Sequence, residues 1–280
     1  MSVLRNSASY LPIDKSERSA YDSRMQTPGE FFQEHGYYVA KAVYDPAEVA
    51  VLERDFDRIV TQLLESHEQI NARWKGAEVE KLGAQNTVIY HTHNVQQFSS
   101  VWMRALLNPK LLDVAESILG SENILLHHTK LFQKPAEQGA PFPMHQDWGY
   151  FPAEKDSMIA GVIHVSDADD AMGCLRVYPG SHKLGRMTGS NGQTLSKILL
   201  EQYPIEKAMP VEVSAGDVVF FHYFTIHGSM PNRSDRIRKT VLAQMLEGSD
   251  RIEEGNMHPD EQLVLRGWNY RMSRERANRS

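Results

Sequence analysis

The 280-residue sequence contains a single cysteine, Cys174, so no intrachain disulfide can form and a reducing compartment fits best. It has no apolar run near the roughly 20 residues that span a bilayer. The longest runs are short stretches such as Val218–Phe221. There is no basic excess either. Thirty Lys and Arg stand against 36 Asp and Glu, a net charge of −6, which argues against nucleic acid as a principal partner. The first 25 residues lack an apolar segment and interleave Arg5, Lys15, Arg18 and Arg24 with Asp14, Glu17 and Asp22. They read as neither a signal nor a transit peptide. The closing Ala-Asn-Arg-Ser is not a peroxisomal tripeptide. What is left is a cytoplasmic protein, with no membrane or nucleic-acid partner expected and the oligomeric state open. Its composition, 41% hydrophobic and 24% charged, excludes disorder, collagen-like repeats and coiled coils.

Residues 1–27 are polar and aperiodic and read as an arm. Residues 28–265 read as one domain with a barrel core at about 123–247, and 266–280 as a solvated charged tail rich in arginine. A short helix is expected over 28–36, closed by Gly36. A strand is expected over 37–43. Asp45, Pro46 and Glu48 then form a helix start ahead of an apolar stripe: Val49, Leu52, Phe56, Ile59, Val60 and Leu63. Asn108-Pro109 opens another helix, which Gly120 closes. After residue 120 the pattern turns to short strands at 124–132, 158–165, 175–178, 209–213, 218–221 and 239–245. Turn-rich segments separate them, which suggests a sandwich or barrel.

The chemistry starts at His145-Gln146-Asp147. On a strand, residues two apart share a face, so an imidazole and a carboxylate would stand side by side. One more histidine would complete a two-His, one-carboxylate facial triad, the geometry of non-haem Fe(II) used with oxygen. His258-Pro259-Asp260 has the same spelling. Its proline cannot serve a strand ladder, its surroundings are polar and no histidine follows, so it reads as a surface loop. For the third ligand, His164 and His182 have unremarkable settings, whereas His222 and His227 flank the end of an apolar strand. His227 precedes the turn Gly228-Ser229, and Arg238 follows eleven residues after it, beside the apolar run Val241–Leu246. A partly buried arginine needs an anionic partner, which a dicarboxylate would provide through bidentate pairing. His222 has Arg233 at the same spacing, but in a turn. Spacing leaves both histidines open. The plain alternative for Arg238 is a surface ion pair with Asp235 or Glu247.

From Leu126 to Arg238 the sequence resembles the phytanoyl-CoA dioxygenase family of Fe(II)/2-oxoglutarate-dependent oxygenases. The matching pieces, in order, are His128-Thr129 with Lys134-Pro135, His145-Gln146-Asp147 with Tyr150-Phe151-Pro152, Gly173-Cys174-Leu175, Pro179-Gly180-Ser181-His182-Lys183, Gly216-Asp217 through His222, and His227-Gly228-Ser229 with Asn232 and Arg238. The resemblance implies a mostly β fold, a double-stranded β-helix (jelly-roll, cupin-like) with N-terminal α-helices outside it. It implies that His145, Asp147 and His227 hold Fe(II), with 2-oxoglutarate and O2 as cosubstrates. Arg238 would pair with the C5 carboxylate of 2-oxoglutarate, supported by Ser229. Phe142 would line that pocket, and Lys130 would occupy a position of varying type near the cosubstrate, where a lysine could bind cosubstrate or a substrate anion, or point outward. The implied reaction is hydroxylation of an unactivated C–H bond of a small molecule, with release of succinate and CO2. Asp147 favours hydroxylation, because family halogenases lack that carboxylate; desaturation and ring closure stay open. Trp148, Tyr150 and His164 are candidates for the substrate wall. Arg233, Arg236 and Lys239 are candidates for a basic surface suited to an acyl-CoA. The competing readings are a metal-binding barrel without turnover and a zinc or manganese enzyme of cupin type.

Overall fold

The computed structural model describes residues 26–74, 77–83 and 86–277; nearly all of the arm expected over 1–27 lies outside the described residues. Helix α1 (Pro28–His35) opens with a capping box in which the Thr27 hydroxyl accepts from the Glu30 amide and the Glu30 carboxylate accepts from the Thr27 amide. Gly36 ends it at φ 74°, a left-handed conformation that favours glycine. Strand β1 (Tyr37–Ala40) follows. Helix α2 (Pro46–Glu65) repeats the capping device with Asp45 and Glu48, and it buries Leu52, Phe56, Ile59, Val60 and Leu63 as its stripe requires. Helix α3 (Ala77–Lys81), strand β2 (Tyr90–His93) and helices α4 (Val95–Phe98) and α5 (Ser100–Leu106) come from a stretch without clear sequence period. Helix α6 (Pro109–Leu119) ends at Gly120, as expected.

The remaining elements are β3 (Ile124–Lys134), β4 (Phe142–His145), β5 (Ile159–His164), β6 (Leu175–Val177), α7 (Lys197–Gln202), β7 (Met209–Val211), β8 (Val218–His222), β9 (His227–Ser229), β10 (Arg238–Glu247), β11 (Leu263–Arg266) and α8 (Arg274–Ala277). They make two antiparallel sheets. The larger runs β1-β8-β5-β10-β3-β11 with β2 also on β3; the smaller runs β4-β9-β6-β7. This is the expected jelly-roll core with helices outside. Strand β9 falls where a turn is expected. Both β4 and β9 are short, and they pair with each other.

Alternation along the large sheet separates two chemistries. One face carries Ile159, Ile163, Val218, Phe220, Val241, Ala243 and Met245, which pack with Phe56, Trp102 and Leu111 of the helices. The other carries Ala160, Val162, Val219 and Phe221, packed with Cys174, Val177 and Val211 of the second sheet. The segment expected as a solvated tail is anchored at its start. Arg266 closes β11 and bridges Asp113 at 2.8 Å and Glu116 at 2.7 Å, and Arg271 Nε donates to the Ser249 carbonyl at 2.6 Å. Among the described residues no helix is long and apolar enough to cross a membrane.

Phe56 is fully buried where α2 meets the sheet. Phe56→Ala is expected to cost about 3–5 kcal/mol of stability. Urea unfolding of the two proteins measures it, and a loss under about 1 kcal/mol would contradict this packing.

Candidate metal centre

The pairing of β4 with β9 sets His145 directly opposite His227, with ring centroids 4.2 Å apart. Asp147 does not share a strand face with His145, contrary to the expectation. The strand ends at His145, and Asp147 starts a 3-10 turn whose amide donates to the Tyr223 carbonyl at 2.9 Å. The turn swings the carboxylate back. Asp147 Oδ1 lies 3.3 Å from His145 Nε2 and 3.6 Å from His227 Nε2. Gln146, between the ligands, holds the turn. Its amide nitrogen donates to the carbonyls of Phe224 at 2.7 Å and Gly185 at 3.0 Å. Gly228 lets β9 lie close to β4, since a Cβ there would sit 2.7 Å from the Phe142 carbonyl oxygen.

Both rings are oriented for metal binding. His145 Nδ1 lies 2.8 Å from the Pro143 carbonyl oxygen, and His227 Nδ1 2.9 Å from that of Thr225. A carbonyl oxygen can only accept, so each Nδ1 carries the proton and each Nε2 lone pair faces Asp147. Burial pushes the His227 imidazole down to about 4, with His145 adding to the shift, so His227 is neutral and free to ligate. Burial works to raise the Asp147 carboxyl; His227 and His145, whenever protonated, and Lys130 act against it and bring it below the usual carboxylate range. Gln244 donates to the second oxygen, Oδ2, at 2.9 Å. The donor set therefore fits a divalent iron with three positions left for other ligands. His222 stands outside it, bound instead to the Asp156 carbonyl at 3.0 Å and to the Phe224 amide.

All three ligand residues line one cavity of about 90 Å³. On its β10 wall Arg238, Thr240, Leu242 and Gln244 face inward; across β3 they pair with Lys134, Phe132, Lys130 and His128. Arg238 has neither of the acid partners considered for it. It is 7% exposed, donates to the Gly173 carbonyl, and leaves Nε buried without a partner. Lys134, directly opposite, is fully buried. Its ammonium donates to Ser229 Oγ and the Met230 carbonyl, each at 2.7 Å. Like charges opposed across a ladder destabilise it. Burial and Arg238 together pull Lys134 well below the usual lysine range. This end of the cavity fits an anionic group.

Phe142 lines the cavity, with its ring under Lys134 Nζ at 5.4 Å. His164 also lines it, but at the Arg238 end: it pairs with Thr240, and burial followed by Arg238 takes it down to about 3. Tyr150 faces the cavity at the Lys130 end. Trp148 does not line it. Its indole donates to Gln146 Oε1 at 2.9 Å, and Arg186 covers the ring at 5.5 Å, so the substrate-wall expectation for Trp148 is corrected. His258 lies in a loop, as expected, but is half-buried and packs on Tyr150 and His128 at 5.0 Å each. The basic surface proposed for an acyl-CoA is largely neutralised, with Arg236 on Asp169 and Lys239 on Glu53 and Asp57. Sequence reading missed Gln244, Gln146, Trp74 and the role of Lys134. Period-two counting from Arg238 reaches Gln244 directly; Trp74, edge-on to His145 at 4.9 Å, carries no such signal.

The profile of the phytanoyl-CoA dioxygenase family matches residues 32–240. The chain belongs to the phytanoyl-CoA dioxygenase family. Among its relatives, a bovine peroxisomal phytanoyl-CoA dioxygenase is 27% identical over 231 residues, covering 79% of this chain and 68% of that protein. A probable alpha-ketoglutarate-dependent hypophosphite dioxygenase of Stutzerimonas stutzeri is 26% identical over 223 residues, covering 75% and 74%. The solved structure of the epimerase SnoN in complex with Fe3+, alpha-ketoglutarate and nogalamycin RO superposes with a TM-score of 0.66 at 24% identity, covering 80% and 84%. That similarity shows a shared fold.

Gln244→Leu is expected to weaken Fe(II) binding by roughly 10–100-fold, because the hydrogen bond that orients Asp147 is lost. Chelator competition measures it; an unchanged affinity would mean that Gln244 does not set the ligand.

Proposed function

We propose that this family member is an Fe(II)/2-oxoglutarate-dependent hydroxylase that oxidises an unactivated C–H bond of a small molecule, releasing succinate and CO2. One observation carries the reading. A buried two-His, one-carboxylate set and a buried Arg238 without a carboxylate partner line one cavity. His145 Nε2, His227 Nε2 and Asp147 Oδ1 would hold the iron. Arg238, with Ser229 beside it, would take the far carboxylate of the keto acid, and Lys134 fixes the Ser229 hydroxyl. Bound iron, with O2 and the keto acid, supplies an oxidant able to break a C–H bond.

The chain supplies the rest. Gln244 holds one Asp147 oxygen so that the other faces the metal. Trp74, Phe132, Phe142, Val162, Leu175 and Leu242 wall the cavity with apolar surface and keep water from the reacting centre. The Asp147 carboxylate fills the position that a halide would need, which favours hydroxylation over halogenation. A binding barrel without turnover accounts less well for a buried arginine aimed at an anion. The compartment follows the sequence reading: one buried cysteine fits the cytoplasm, while the bovine relative is described as peroxisomal.

Anaerobic addition of Fe(II) and then 2-oxoglutarate is expected to produce a weak visible charge-transfer band that requires both. Arg238→Ala should weaken keto-acid binding by roughly 2–5 kcal/mol. Asp147→Ala should abolish iron-dependent succinate release. No band in folded, iron-loaded protein would show that the keto acid does not chelate the metal, and the hydroxylase reading would fall.

A further inference from the structure

The cavity wall beyond the metal ligands is crowded with imidazole. His91, His93, His127, His128 and His258 lie together there, and His128 lines the cavity with Lys130. Lys130 Nζ is 3.0 Å from His258 Nε2, and His258 Nδ1 is 3.2 Å from His93 Nε2. An ammonium can only donate, so His258 Nε2 accepts, and its Nδ1 proton goes on to His93. The relay is fixed from end to end.

Ring nitrogens of His93, His128 and His258 lie within 4.8 Å of one another, as metal ligands would. A metal here would have to displace the relay and sit beside an ammonium. The relay instead holds Lys130 in place. The imidazoles add no charge. Burial first, and Lys130 second, bring His93 and His127 down to about 4 and His258 to about 3.

Lys130 is half-buried against the cavity and forms no ion pair among the described residues; desolvation lowers it to about 8, with Asp147 acting in the opposite sense. One face of the ammonium lies over the Tyr150 ring at 5.4 Å. His128 Nε2, two residues away on the same face of β3, is buried without a partner. Lys130 is not placed to serve the far carboxylate of the keto acid. It lies four residues along β3 from Lys134, roughly 13 Å.

Charge counting points the same way. Fe(II) and a doubly ionised keto acid cancel. Lys134 does not line the cavity, and without it Arg238 and Lys130 outnumber Asp147 among the cavity charges. An excess positive charge in a buried cavity calls for an anion.

We propose that Lys130, braced by His258 and flanked by His128, binds an oxyanion of the substrate, a carboxylate or a phosphonate-type group on the molecule whose C–H bond is oxidised. This rests on the hydroxylase reading and narrows its substrate class.

Anaerobic calorimetry on the chain loaded with Fe(II) and 2-oxoglutarate tests it, with propionate, methylphosphonate and neutral propionamide as probes. At least one anion should bind at one site, and propionamide should not. The preferred anion identifies the group. Lys130→Met should weaken anion binding at least roughly tenfold, and Lys130→Arg should stay within about threefold of wild type. Equal binding of anions and amide would overturn the proposal, as would anion binding unchanged in Lys130→Met. An equal loss of keto-acid affinity in Lys130→Met, read from the visible band, would reassign Lys130 to the cosubstrate. A second equivalent of Zn(II) lost in His258→Ala would reassign the histidines to a metal. Lys130-dependent anion binding without any band would leave the anion site standing and remove the hydroxylase reading.

Discussion

The cross-strand pairing of His145 with His227 is the constraint on which the centre depends. Two strands of four and three residues carry it. Strands this short have little stability alone, so their register comes from their surroundings. Gln146 ties the end of β4 to the Phe224 and Gly185 carbonyls, and the Tyr223 carbonyl takes the Asp147 amide. The Ser181 hydroxyl accepts from the Ile226 amide at 2.8 Å, just before His227. The large sheet completes the arrangement, because Gln244 reaches Asp147 from β10. The two sheets thus meet through directional hydrogen bonds at Asp147 and at Ser229, which accepts from Lys134, and through apolar packing between them.

Charge placement is the second theme. Arg238 and Lys134 oppose each other in the interior with no carboxylate beside them. A fold selected for stability alone would not retain this, since removing one buried cation is cheaper than desolvating two. Elsewhere the chain pairs its buried or half-buried charges conventionally: Asp217 takes Lys41, the Ala42 amide and the Ser214 amide. Arg238, which lines the cavity, is placed where a ligand can complete it.

The readable parts of the sequence were those governed by local rules. The capping box at Asp45 and the left-handed Gly36 and Gly120 fix helix ends within a few residues. The strands that alternate or run apolar for five residues or more were visible as well. Strand β9 was not, because three residues carry no period and Gly228-Ser229 spells a turn. The choice of His227 over His222 depends on a pairing with residues more than eighty positions away, which spacing cannot encode. The setting of Trp148 and the packing of His258 are hidden from the sequence for the same reason. Adjacency to a motif in sequence placed Trp148 near the cavity, yet its indole turns back onto Gln146; His258, far away in sequence, packs beside Lys130. The family resemblance gave the order of the motifs, and the geometry gave the supporting residues Gln244, Gln146 and Lys134.

The order of elements along the chain also shapes how the protein is made. Helices α2, α5 and α6 leave the ribosome before the sheet strands β5, β8 and β10 that cover their apolar stripes. Strand β1 waits longest of all, since Tyr37 pairs with Phe221 across 184 positions (221 − 37). At ordinary translation speed, Phe56, Trp102 and Leu111 remain uncovered for on the order of ten seconds. A nascent chain in that state presents a greasy half-protein that is a natural client for holdase chaperones.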